Sequence, residues 1–235
     1  MIEELEAEVV VRLPKGDVTV SAWHAIPAGS QDVIVCAHGA GAGVRHPFFD
    51  GLIDGFHHHG IATVRFTFPY LQAGRRMPGP AAHAIATWAA IDAHTRALTV
   101  QAGTKECRLW AAGKSYGGRM ASMAAAQGEI DPTGLVYLGY PLHPPGNPEK
   151  PRVEHLPDVV QPQLFISGTR DPFVDPHEQL ETAIAGCRDA EIEWVDGGGH
   201  SFEVAGLRRS PEEVGRALAE RVSAWVRRRS QRPAA

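Results

Sequence analysis

Cys107-Arg108-Leu109-Trp110-Ala111-Ala112-Gly113-Lys114-Ser115-Tyr116-Gly117-Gly118 is an apolar run that ends in a small-X-Ser-X-small turn, and Arg119-Met120-Ala121-Ser122-Met123-Ala124 after it has a helical composition. The pattern predicts a strand, a sharp turn and a helix. Gly113 and Gly117 let the two elements close on each other, and Ser115 takes a strained conformation that lifts its hydroxyl above the sheet. Such a turn is a nucleophile elbow.

A serine hydroxyl is a weak nucleophile unless a base and an acid accompany it. Downstream, Gln163 to Asp171 reads as a buried strand ending in an acid. Ala190 to His200 reads as a strand followed by three glycines and a histidine. The chain order Ser115, Asp171, His200, each just past a strand, is that of the α/β-hydrolase fold and differs from the orders of the chymotrypsin and subtilisin folds. Asp175 is a second acid nearby, but Asp175-Pro176-His177-Glu178 has the form of a capping box, which gives Asp175 a structural task.

Working outward, Glu8 to Leu13 and Val18 to Ala25 flank the turn Pro14-Lys15-Gly16-Asp17 and predict an antiparallel hairpin. Asp32 to Ala37 is a continuous apolar run, as a strand covered on both faces requires, and it leads into His38-Gly39-Ala40-Gly41-Ala42-Gly43. A helix beginning at Pro47, a strand from Ile61 to Phe66 and a long helix over Ala81 to Leu98 follow. Ser210-Pro211-Glu212-Glu213 opens the last helix as a capping box. The proline-rich Tyr140 to Gln161 is too short for a lid domain and is expected at the rim of the site. These elements predict a single domain over residues 1–235. Its sheet is mostly parallel with an antiparallel N-terminal hairpin, helices cover both faces, and there is no large lid.

The motifs resemble the α/β-hydrolase superfamily over nearly the whole chain, and within it the dienelactone-hydrolase-like proteins and the Tex30/KANSL3-type predicted serine hydrolases. The resemblance is carried by His38 to Gly43 with His46-Pro47-Phe48, by Gly113-Lys114-Ser115-Tyr116-Gly117-Gly118-Arg119 and by Gly139-Tyr140-Pro141-Leu142-His143-Pro144-Pro145-Gly146. Gly168-Thr169-Arg170-Asp171-Pro172-Phe173 and His200-Ser201-Phe202 complete it. It implies a hydrolase acting on a small acyl ester, thioester or lactone. Dienelactone hydrolases proper use cysteine where this chain has Ser115, which argues against a dienelactone substrate. In this scheme Ser115 attacks, His200 moves the proton and Asp171 orients the imidazole. The fold places the backbone N–H groups of Tyr116 and Ala40 as the oxyanion hole. A non-catalytic scaffold on the same fold is the alternative, which the intact Ser115, Asp171 and His200 oppose.

With 235 residues, 43% of them hydrophobic, the chain can bury one core, and a net charge of −4 gives no reason to expect nucleic acid or an anionic membrane as partner. The acidic start, Met1 to Glu6, and the lack of an apolar run of about 18 residues point to a cytoplasmic protein. An odd cysteine count, Cys36, Cys107 and Cys187, fits reduced thiols. No cofactor is expected, and the partner is a small-molecule acyl substrate, with the chain a monomer or homodimer. His57-His58-His59 does not predict a metal site, because successive helical side chains point about 100° apart. Gly113-Lys114-Ser115 resembles the end of a P-loop, but Arg108 stands where that motif needs glycine. Lys114 is expected beneath the sheet in an ion pair. Arg45, His143 and Arg170 are expected at the mouth of the site, with Arg75, Arg76 and Arg152, to favour anionic substrates.

Overall fold

The computed structural model describes residues 2–104 and 106–231. Two strands, β1 (Leu5–Val11) and β2 (Val18–Ala25), form the antiparallel hairpin, and β2 pairs antiparallel with β4 (Ala62–Phe66). β3 (Asp32–Ala37), β5 (Arg108–Lys114), β6 (Gly134–Leu138), β7 (Gln163–Gly168) and β8 (Ala190–Val195) complete one eight-stranded sheet in the order β1-β2-β4-β3-β5-β6-β7-β8. All pairs from β4 to β8 are parallel. The order reverses beside β3, which puts the start of the chain on one edge and β5 near the centre, where the carboxyl ends of strands open a crevice.

Period-two alternation along the buried strands divides the core into two layers. Val33, Val35 and Ala37 of β3 face the layer that contains Trp88 and Ile91 of α3 (Ala81–Gln101), Met120 and Ala121 of α4 (Tyr116–Ala126) and Leu180 of α5 (His177–Ala185). Ile34 and Cys36 face the other layer, which holds Leu52 and Phe56 of α1 (Pro47–His58) with Leu218, Val222 and Trp225 of α6 (Pro211–Ser230). A short α2 (Pro69–Gln72) packs over the hairpin. α1 and α6 cross with their backbones nearly in contact. A methyl group at Gly51 would strike the main chain of Glu212, and one at Gly215 that of Phe48. The α6 capping box forms as its sequence predicts, with Ser210 Oγ accepting from Glu213 N and the Glu213 carboxylate accepting from Ser210 N.

Two expectations change. α5 begins after Pro176 without a side-chain cap, so Asp175 is an exposed acid and not the cap its sequence suggests. Tyr140 to Gln161 leaves the end of β6, folds back on itself with Tyr140 Oη donating to Arg152 O at 2.7 Å, and then packs on α4, where Ser122 Oγ lies 2.7 Å from His155 Nε2. The apolar content of that segment, with Tyr140, Leu142 and Leu156 buried, drives it onto the core. Among the described residues no helix is long and apolar enough to cross a membrane.

Candidate active site

At the end of β5 the chain reverses into α4 through Ser115, whose φ of 48° and ψ of −113° lie in a region that side-chain-bearing residues rarely adopt. The turn is this tight because strand and helix touch. A methyl group at Gly113 would overlap Gly117 and Gly118, and one at Gly117 would sit 2.5 Å from His38 O. Only glycine fits at these two contacts. The strain at Ser115 is therefore imposed by packing, and it exposes Oγ above the sheet.

His200 Nε2 lies 2.9 Å from Ser115 Oγ, and His200 Nδ1 lies 2.8 Å from Asp171 Oδ2. An ionised carboxylate only accepts, so Nδ1 carries the proton and Nε2 is left to accept from the serine hydroxyl. Asp171 is 1% exposed, and its second oxygen accepts from Phe173 N at 2.9 Å. Both oxygens are thus committed. The Phe173 ring packs against the imidazole. The structure brings Ser115, Asp171 and His200 together from the ends of β5, β7 and β8, and leaves Asp175 out.

The His38 to Gly43 loop lies against the nucleophile, with Gly39 packed against the Ser115 side chain. His38 is fully buried and organises this loop. Its Nε2 accepts from Phe68 N at 3.0 Å, which fixes the proton on Nδ1, 2.6 Å from Gly39 O. Burial lowers its pKa to about 4. Tyr70 Oη donates to Ala40 O at 3.0 Å, so two carbonyls of the loop are held from behind. Tyr116 is the first residue of α4, where a backbone N–H has no intrahelical acceptor, and Ala40 lines the same cavity as Ser115.

That cavity, about 490 Å³, is lined by Gly39 to Ala42, His46, Phe48 and Phe49. Ser201, Glu203, Arg209, Pro211 and Val214 line it as well. Ser201, Glu203 and Arg209 were not read from the sequence as lining, because they come from the irregular stretch between His200 and α6, where no periodicity tells which side chains turn inward. The expected mouth cations lie elsewhere. Arg45 stacks on Trp23, 5.2 Å from the ring centroid, and Arg170 is exposed outside the cavity lining. His143 is fully buried, 2.9 Å from Pro144 O through Nδ1. Lys114 and Arg209 are the cationic lysine and arginine of the wall. Lys114 is not in the expected ion pair. No carboxylate lies within 4.0 Å of its Nζ among the described residues. Burial lowers its pKa, against the opposing fields of Glu203 and Asp171.

A central parallel sheet, a serine on a strained strand-to-helix turn, and an acid and histidine from later strand ends define the α/β-hydrolase class. Residues 30–227 match the alpha/beta hydrolase domain family, and the chain belongs to it. Solved structures carry the same fold. A dienelactone hydrolase from Anabaena variabilis is 21% identical with a TM-score of 0.70, over 96% of this chain and 98% of that one. An α/β serine hydrolase without a lid from Xanthomonas campestris is 20% identical with a TM-score of 0.70, over 98% and 96%. Est1E from Butyrivibrio proteoclasticus, solved with ferulic acid, is 14% identical with a TM-score of 0.71, over 91% and 96%.

Proposed function

We propose that this α/β hydrolase is a serine hydrolase that cleaves a small acyl ester, thioester or lactone through an acyl-enzyme intermediate. The observation that carries the reading is the unbroken chain from Asp171 through His200 to Ser115 Oγ, with contacts of 2.8 and 2.9 Å, at a strained turn facing a cavity. Ser115 Oγ attacks the acyl carbon as its proton passes to His200 Nε2, and the carbonyl electron pair moves onto oxygen. Backbone N–H groups of Ala40 and Tyr116 receive that oxyanion. Collapse restores the carbonyl and expels the alkoxide or thiolate, which takes the proton from Nε2. Water then repeats the sequence: it gives its proton to Nε2, attacks the Ser115 ester, and releases a carboxylic acid as Oγ regains the proton. Asp171 holds the Nδ1–H tautomer and stabilises the transient imidazolium.

The test is labelling by a fluorophosphonate probe together with turnover of an ester panel that varies in acyl length. Labelling should fall on Ser115, and Ser115→Ala should abolish it and cost several orders of magnitude in rate. An unlabelled Ser115 with no ester turned over would return the chain to the scaffold reading.

A further inference from the structure

Lys114 ends β5 and directly precedes the nucleophile, yet its ammonium reaches across to the histidine loop. Nζ lies 3.3 Å from His200 O and 3.4 Å from Ser201 Oγ. The rings of Phe48 and Phe202 flank it, with centroids at 5.7 and 6.0 Å. Phe202 itself has a φ of 68°, so the loop carrying His200 is bent into a strained shape where it meets this cation. A half-buried ammonium with no carboxylate in contact is costly unless its donors are used. Here they are used on the main chain of the general base.

We propose that Lys114 is a positioning residue for the reaction. Its ammonium ties the strand that carries Ser115 to the loop that carries His200 and fixes the approach of Oγ to Nε2. The inference rests on the hydrolase reading above. The groups facing His200 are Asp171 on Nδ1, Ser115 on Nε2, the Phe173 ring, the Gly139 backbone and Lys114. Glu203, His46 and Arg209 share the cavity wall.

The experiment compares wild type, Lys114→Met and Lys114→Arg for kcat and KM on phenyl acetate and on the anionic monomethyl succinate. NMR spectra of the His200 ring protons at one fixed pH accompany it and need no turnover. Lys114→Met should lower kcat about 10- to 100-fold through lost positioning. KM for both esters should stay within about twofold. The His200 ring signals should shift and broaden as the imidazole loses its single position. Lys114→Arg should keep the signals in place and recover part of kcat. The proposal is overturned when Lys114→Met changes neither kcat nor the ring signals, or when it loses only the anionic ester and only through KM, which would make Lys114 a receptor for substrate charge. Should Lys114→Met not fold, Ser201→Ala removes one acceptor and keeps the cation. It must then lower kcat severalfold, and an unchanged kcat rejects the tether. A wild type that turns over neither ester and labels no serine defeats the hydrolase reading instead, and the ring signals still decide the effect of Lys114.

Discussion

Phe173 and His200 lie ring against ring, with centroids 4.1 Å apart and planes 30° from parallel, while the Phe173 amide donates to the Asp171 oxygen that the imidazole leaves free. One residue therefore steadies both the acid and the base. Phe173→Ala should lower kcat about tenfold by loosening the imidazole, a displacement effect of the kind that small misplacements produce. Phe173→Leu, which restores bulk, should recover part of it. Steady-state kinetics on a single ester decide the matter, and equal rates for all three proteins would refute the role.

The two neighbouring acids should separate cleanly. Asp171→Asn should reduce kcat by about 10³ to 10⁴, because the amide favours the wrong imidazole tautomer. Asp175 is exposed and caps nothing, so Asp175→Ala should change stability by less than about 0.5 kcal/mol and leave kcat intact. Rates and melting temperatures measured side by side give the answer, and a large kinetic loss at Asp175 would reassign the acid.

Gly117→Ala introduces a methyl group 2.5 Å from His38 O and 2.9 Å from the Ala37 side chain. Helix and strand must part to admit it, at about 1 to 3 kcal/mol. The same movement withdraws the His38 to Gly43 loop from Ser115. Urea unfolding should show the destabilisation and an ester assay a disproportionate loss of rate. A stable, fully active variant would mean that the elbow has slack.

Acid should destabilise the fold through His38. Burial holds its folded pKa at about 4, below the ordinary value of 6.5, so the unfolded chain binds the proton first as pH falls. The stability that His38 contributes is complete above pH 6.5 and is lost progressively down to about pH 4, at up to about 1.4 kcal/mol per pH unit. His155, also lowered to about 4 by burial, adds in the same direction. His38→Asn should start less stable at pH 7 and show a shallower decline. Urea midpoints at pH 7, 5.5 and 4.5 report both, and parallel slopes would show that His38 takes no part.

Ser115, Asp171 and His200 were legible because each follows a strand and has a glycine within three residues, so local composition alone locates it. Gly113 meets Gly117 and Gly118 a few residues on, so that half of the elbow reads locally, whereas the contact of Gly117 with Ala37 and His38 comes only with the fold. Lys114 shows where that stops. Alternation along β5 gives the face on which its side chain leaves, but its partners, His200 O and Ser201 Oγ, are 86 and 87 residues away. Arg45 and Arg170 follow strand ends as expected, yet a long arginine is steered by whatever surface lies nearby, and for Arg45 that is Trp23. Tyr140 to Gln161 misleads for a similar reason: proline suggested an exposed rim, while its buried apolar residues carry it onto α4.

The seam between α1 and α6 divides labour in the molecule. Their first turns are pressed together, Gly51 against the main chain of Glu212 and Gly215 against that of Phe48, and beside this contact Phe48, Phe49, Pro211 and Val214 line the cavity. In the proposed reaction the chemistry resides at the strand ends, whereas part of the room for an acyl group is set by two helix ends that carry none of Ser115, Asp171 or His200. Substrate range can thus drift by exchange of Phe49 or Val214 without passing strain to the elbow, and a lineage could inherit the reaction intact while acquiring new acids to release.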